Sequence, residues 1–392
     1  MNLKNLNLIS FLIYFIFMFF GLPYSVQAIG LFFLIQTFLL IKQGINPLRK
    51  INKLLIIPIL FYAIHIISLI YSENIAEANF DLQVKFSFLA LPIIFALKKE
   101  EDKTDFFKLI KSYTIIALIA GIAYIIKGYF HAGSYPHYMV FSHPLHPSYL
   151  ALYFTVNIAF AAIILLKKKE FLWVQIISIL ISFSILYIAE SKAGLIATFA
   201  IIVFFLYKVI FHKNKKLSIS IIFLFTIIAG CIIIFVPRFK TLITTTFNFE
   251  KVYAHPEKVV ESTGLRLLAW KASLDIIREN PIIGVGAGDI KDELAIIYTK
   301  KNYKKPLELK MNCHNQYLET LVGQGIIGLT VLLLLIIALF VNKNHKLISQ
   351  LFAIIIGTNI LFESMFNVQA GVVFFVFIYS MIISSKKHIL IP

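Results

Sequence analysis

"MNCHNQYLETLVGQGIIGLTVLLLLIIALF", residues 311–340, opens on His314, Asn315 and Gln316 and then runs, without a proline, into one of the most apolar stretches of the chain. A run of that length must be helical in lipid, because hydrocarbon offers backbone N–H and C=O groups no partner outside their own segment. An ionisable imidazole at the mouth of such a helix, backed by Gly323, Gly325 and Gly328, calls for an explanation.

The rest of the sequence repeats the apolar theme. Of 392 residues, 59% are hydrophobic and only 15% charged, which excludes a soluble globular domain and points to an all-α polytopic membrane protein. Apolar runs near 8–22, 24–41, 54–71, 86–97, 109–127, 148–166, 171–189, 193–211, 217–236, 317–341, 347–362 and 368–384 predict twelve transmembrane helices. Val26-Gln27-Ala28 resembles a signal cleavage site, but cutting there would leave about 13 apolar residues of the next run, too few to span. The first run is therefore read as a retained span.

The net charge of +17 does not imply a nucleic-acid partner, because the lysines sit in alternate short loops. Arg49, Lys50 and Lys53, then Lys98, Lys99 and Lys103, then Lys167 to Lys169 fall on one side, which the positive-inside rule makes cytoplasmic along with both termini. The short outer loops are expected to hold Lys85, Lys127 and Lys192 beside Glu73, Glu77, Asp81, Glu190 and Glu363. Two cysteines, Cys231 and Cys313, supply neither a disulfide framework nor metal-ligand spacing. Nothing near Cys313 in sequence would activate its thiol.

These boundaries divide the chain into residues 1–237 with spans one to nine, an extracytoplasmic loop domain at 238–315, and spans ten to twelve at 316–392. Inside the loop, "STGLRLLAWKASLDIIREN" (262–280) predicts a helix capped by Ser262 or Thr263 and ended by Asn280-Pro281. Leu267, Trp270, Leu274 and Ile277 are expected to share its packing face. "PIIGVGAGD" (281–289) has alternating glycines but no strand before it, so it reads as a flexible elbow rather than a dinucleotide site. A second helix is expected near 289–298.

Ionisable residues on the outer side are the functional candidates. His314 with Asn315 comes first; the plainer reading is an interfacial histidine bonded to a headgroup. Gly325 and Gly328 give a small-residue face for close approach, or simply helix packing. Arg266 is one of four arginines among thirty-three lysines, which suggests that a planar fork matters, as for phosphate. It lies in the first turn of its helix, where the dipole favours an anion; the alternative is a solvated charge. Arg278, near the other end, fits the dipole. Lys192 in "AESKAGL" (189–195) is a turn cation that could pair with Glu190. The stretch 131–153 mixes four histidines with aromatics in no metal-ligand pattern, and His146 and Tyr149 could line a groove. Glu73 in "YSEN" could orient a hydroxyl or act as a base.

His314-Asn315, nine residues, then Gly325-Ile326-Ile327-Gly328 resembles the signature of O-antigen ligases and their relatives. "RLLAWKASLDIIRENPIIGVGAG" (266–288) is similar to the arginine-bearing helix of that family's large loop, and "ESKAGL" (190–195) stands where the family usually has Ser-Arg-Gly. The resemblance implies a GT-C-like membrane glycosyltransferase of the bacterial inner membrane, with the active site on the periplasmic side. A large helical periplasmic loop between spans nine and ten is implied too. It implies transfer of a glycan from undecaprenyl diphosphate to an acceptor such as lipid A–core oligosaccharide, without nucleotide sugar, metal or cofactor. His314 matches the family's essential histidine and Arg266 its loop arginine. Lys192 takes the place of the turn arginine, keeping the charge but losing the bidentate fork.

The implied chemistry is coherent. Fixed cations stabilise the charge growing on a leaving diphosphate, and histidine, which changes charge near neutral pH, suits a general base for the attacking hydroxyl. Asn315, Arg278, His146, Tyr149 and Glu73 would contact substrate, and Gly325 and Gly328 would leave room for the polyprenyl tail or a neighbouring helix. A ligase, a polymerase and a protein O-oligosaccharyltransferase share this donor chemistry. A transporter of lipid-linked glycan would be expected to carry ionisable residues near the bilayer midplane, whereas these spans are nearly charge-free.

Overall fold

The computed structural model describes residues 2–21, 24–45, 51–132, 145–167, 171–211 and 248–385, with isolated positions between them. Most of the expected ninth span at 217–236, most of the first part of the loop domain including Arg238, and most of the histidine-rich stretch from 133 to 144 lie outside the described residues. So do Arg49, Lys50, Lys168, Lys169 and Cys231.

Among the described residues the chain is helical and carries no strand. Seven helical stretches are long and apolar enough to cross a membrane: Leu3–Phe20, Tyr24–Gln43, Ile75–Leu97, Glu100–Phe130, Pro147–Leu166, Lys192–Val209 and Gln316–Val341. Four apolar helices, Lys53–Ser68, Leu172–Ile188, Lys346–Asn359 and Gln369–Ser384, are shorter. Each of these eleven coincides with one of the expected runs. The helices are α1 (Leu3–Phe17), α2 (Tyr24–Gln43), α3 (Ile56–Ser68), α4 (Ile75–Lys85), α5 (Ser87–Leu97), α6 (Phe106–Ala132), α7 (Pro147–Lys167), α8 (Leu172–Ile188) and α9 (Lys192–Phe205). A polar segment then forms α10 (Phe249–Ala254), α11 (Ser262–Glu279), α12 (Ile290–Lys300) and α13 (Lys304–Glu308). The apolar helices resume with α14 (Gln316–Val341), α15 (Lys346–Asn359) and α16 (Gln369–Ser384).

The core forms around α16, whose residues from Ala370 to Ser384 are all buried. A helix apolar all round has no face to give to lipid or water and belongs inside. Phe377 meets Phe11, Tyr14 and Phe15 of α1, Phe32 of α2 and Phe95 of α5, while Phe374 meets Tyr153 of α7. The connection from α15 to α16, residues 360–368, therefore emerges at the middle of one end of the bundle.

The structure corrects the reading of residues 75–85. Expected within an outer loop, they form the helix α4, parted from α5 at Phe86 alone, and Lys85 is buried there in an ion pair with Asp81.

Residues 249–308 pack over the same end as the 360–368 connection. Their shared core joins Leu268, Ala269, Ala272 and Ile276 of α11 to Leu294, Ile297 and Tyr298 of α12, and reaches Val322 of α14. The buried face of α11 is thus Leu265, Leu268, Ala269, Ala272 and Ile276, while of the expected face Leu267 and Ile277 pack at its edge and Leu274 is exposed. Alanines let helix backbones approach closely, and hydrophobic size alone hid that face. The N-cap also differs from expectation. Glu261, not Ser262 or Thr263, caps α11, its carboxylate accepting from Thr263 N at 2.7 Å and Gly264 N at 2.5 Å.

The glycine elbow at 281–289 is fixed rather than flexible. Helix α14 breaks at Gly325, where φ is 60° and ψ is −158°, a region only glycine occupies without strain. The break frees backbone groups, and the elbow satisfies them: Val285 N donates to Val322 O at 2.8 Å, Gly286 N to Gly323 O at 2.9 Å, and Ile326 N to Pro281 O at 2.9 Å. Gly284, with φ 72°, lies against the backbone of residues 322–324, so neither glycine has room for a side chain. The next turn is clamped by Asp289, whose carboxylate accepts from Glu73 N at 2.9 Å and Asn74 N at 2.7 Å. Gly325 therefore receives the backbone of the elbow, where the polyprenyl tail or a neighbouring helix was expected.

Candidate active site

A cleft of about 380 Å³ opens where α11, α9, α7 and the 360–368 connection meet. His314, Arg266, Lys192 and His146 all line it, together with Glu190, Glu363, Ser148, Lys310 and Asn312. Residues far apart along the chain converge here because α16 delivers Glu363 to the centre of the bundle end and α11 lies across it.

Glu363 is the hub. Its Oε1 accepts from Arg266 Nη2 at 2.6 Å and from Ser148 Oγ at 2.9 Å, and its Oε2 lies 3.3 Å from His314 Nδ1. Burial by itself would raise this carboxyl's pKa. The hydrogen bond from His314 and the Arg266 guanidinium outweigh it and hold the group at about 2. An ionised carboxylate against Nδ1 favours the tautomer with its proton there, which leaves Nε2 as the acceptor.

His314 is held in a left-handed backbone conformation, φ 46°, a strain that persists only where surrounding contacts over-determine it. Those contacts come from the polar cluster around it. Asn312 Oδ1 accepts from His314 N at 2.9 Å. Asn315 caps α14, accepting from Tyr317 N at 2.9 Å and Leu318 N at 3.2 Å. Gln316 N donates to Ile360 O, and Phe366 N donates to Gln316 Oε1. Glu319, only 4% exposed, accepts from Cys313 N at 3.0 Å, Ser364 Oγ at 2.9 Å and Asn367 Nδ2 at 2.6 Å. One carboxylate thus anchors the residue before His314 and the residue after Glu363.

Lys192 is 7% exposed and donates from Nζ to Thr263 Oγ1 at 2.7 Å, tying the start of α9 to the start of α11. The positive N-terminus of α11, read from sequence as an anion site, already holds an anion in Glu261. Arg266 is engaged by Glu363, so part of its fork is committed within the protein. Lys310 adds a third lining cation that sequence reading did not single out.

The other sequence candidates are placed differently. Asn315 serves the helix cap. Arg278 is solvent-exposed and pairs with Asp275. Glu73 lies at the Asp289 clamp, away from the cleft lining. Tyr149 packs behind the cleft, its ring against Gly371 and 6.3 Å from that of His146. Cys313 is fully buried, and burial pushes its thiol well above the usual range. Among the described residues, no three His, Cys, Asp or Glu side chains are arranged to hold a metal ion. Glu363 and Ser148 were missed as site residues by sequence reading: neither belongs to a local motif, and an acidic residue in a short loop carries no signal of its partners.

Part of this geometry sits within a recognisable segment. Residues 177–333, from α8 into α14, match the family described as O-antigen ligase. That segment is what the chain shares with the O-antigen ligase family. The match takes in Lys192, Arg266, His314 and Gly325, and leaves His146, Ser148 and Glu363 outside it. A stretch of 141 residues is 35% identical to an uncharacterized protein of Haemophilus influenzae, covering 35% of this chain and 34% of that protein. The chain therefore spans about a third of the length of the curated relative it matches.

Proposed function

We propose that the protein is a membrane glycosyltransferase of the O-antigen ligase type. It moves a glycan from undecaprenyl diphosphate to a hydroxyl of lipid A–core oligosaccharide on the periplasmic face of the bacterial inner membrane. The observation that carries this reading is the convergence of His314, Glu363, Arg266 and Lys192 on one cleft, in a chain whose residues 177–333 match the O-antigen ligase family.

His314 Nε2 takes the proton of the attacking hydroxyl, and the Glu363 carboxylate at Nδ1 orients the ring and stabilises the imidazolium that forms. The acceptor oxygen forms a bond to the sugar's anomeric carbon as the bond to the diphosphate oxygen breaks. The leaving diphosphate departs with the electron pair. Lys192, Lys310 and the remaining donors of Arg266 offset its charge. Three cations against two carboxylates, Glu190 and Glu363, leave the lining with a positive excess suited to that group.

The test is lipopolysaccharide from cells lacking the protein, resolved on a gel. A lost ladder with accumulated long lipid-linked polymer supports the ligase reading. A single repeat unit on the core makes the protein a polymerase, an unchanged ladder with loss of glycan from proteins on a parallel glycoprotein blot makes it a protein O-oligosaccharyltransferase, and no change in either overturns all three.

A further inference from the structure

The glycine elbow presents an apolar tip to its surroundings. Ile282 and Ile283 at that tip are 64% and 48% exposed, an unusual state for two adjacent isoleucines in a hydrogen-bonded loop. The tip is bonded to α14 immediately beside Ile326 and Ile327, through Ile326 N to Pro281 O and Ile327 N to Ile282 O. Those two residues begin an exposed apolar stripe that continues down α14 through Leu333, Leu334, Ile337, Phe340 and Val341. On the other flank, Tyr71 Oη donates to Ile283 O at 2.8 Å, next to exposed Ile66, Ile67 and Ile70 at the end of α3.

We infer that the 281–286 elbow is a membrane-dipping element whose Ile282–Ile283 tip inserts among acyl chains between α3 and α14. Continuity identifies lipid as the occupant. The tip extends the outward stripe of a helix that crosses the bilayer, so the acyl chains that cover Leu333 and Ile337 also cover the tip. The elbow's backbone suits that depth. Non-helical chain within a membrane is tolerated only where protein satisfies its polar groups, and the elbow's hydrogen bonds to residues 322 and 323 do that. The polar segment is then held at the bilayer from both ends of α11, by Lys192 at its start and by this tip after its end.

The test does not depend on the proposed activity, so its failure and that of the enzymatic reading are separable. Ile282→Cys and Ile283→Cys are reacted with a membrane-impermeant maleimide in protein reconstituted into phosphatidylethanolamine–phosphatidylglycerol vesicles. Lys300→Cys, exposed on α12, is the accessible control, and the parent chain with Cys231 and Cys313 sets the background. The expected result is background labelling at 282 and 283 until the vesicles are dissolved in dodecyl sulfate, with full labelling at 300 throughout. A nitroxide at each position should likewise be relaxed by oxygen rather than by a water-soluble nickel complex. Labelling at 282 and 283 as fast as at 300, or relaxation by nickel, overturns the inference.

Discussion

Glu363 Oε2 lies 3.3 Å from Nδ1 of His314, and the other oxygen of the same carboxylate binds Arg266 at 2.6 Å. One half-buried acid therefore sets both the tautomer of the proposed base and the position of the proposed phosphate ligand. Glu363→Gln keeps the shape but removes the charge that holds both His314 and Arg266, and should lower transfer by roughly 10²-fold with weaker donor binding. His314→Ala and Arg266→Ala should each abolish transfer while the protein still inserts. Turnover on folded, monodisperse protein checks this; a fully active Glu363→Gln variant would remove the carboxylate from the scheme.

The same carboxylate should mark the acid stability of the protein. Its pKa falls from 4.5 to about 2 on folding, so its contribution is complete above the unfolded value and is lost as pH falls from there toward about 2. Thermal midpoints in detergent, taken from about pH 7 to about pH 3, should decline below the unfolded value in the wild type. The decline should be shallower in Glu363→Gln; parallel curves would place the acid sensitivity elsewhere.

Lys192 reaches Thr263 from a buried position at the cleft wall. Lys192→Arg retains the charge and has the cleft to extend into, so near-normal transfer is expected. Lys192→Ala leaves no cation at that wall and should cost about 10-fold or more in turnover. Equal activity of the two variants would make this cation incidental.

The break at Gly325 should be intolerant of any side chain. Gly325→Ala adds about 1–3 kcal/mol of backbone strain, and its methyl would strike the Ile282 carbonyl. Reduced yield of folded protein and a lower thermal midpoint are expected. Gly357→Ala in α15, where a methyl would meet only the Tyr317 hydroxyl and the Ile336 side chain at ordinary contact distance, provides the comparison. Equal stability of the two variants would mean that the elbow does not dock at Gly325.

The membrane class, the positions of eleven helices, and the histidine, arginine and lysine that meet in the cleft could all be read from the chain as written. Apolar length and loop charge are local properties, legible without contacts, and the resemblance rested on motifs contiguous in the chain. Packing settled the rest. It made Glu363, forty-nine positions beyond His314, the partner of that histidine, put Glu261 at the helix terminus, and gave Gly325 the backbone of the elbow. Each of those outcomes depends on which helices meet, and a charge or a glycine in one segment carries no record of the segment that will face it.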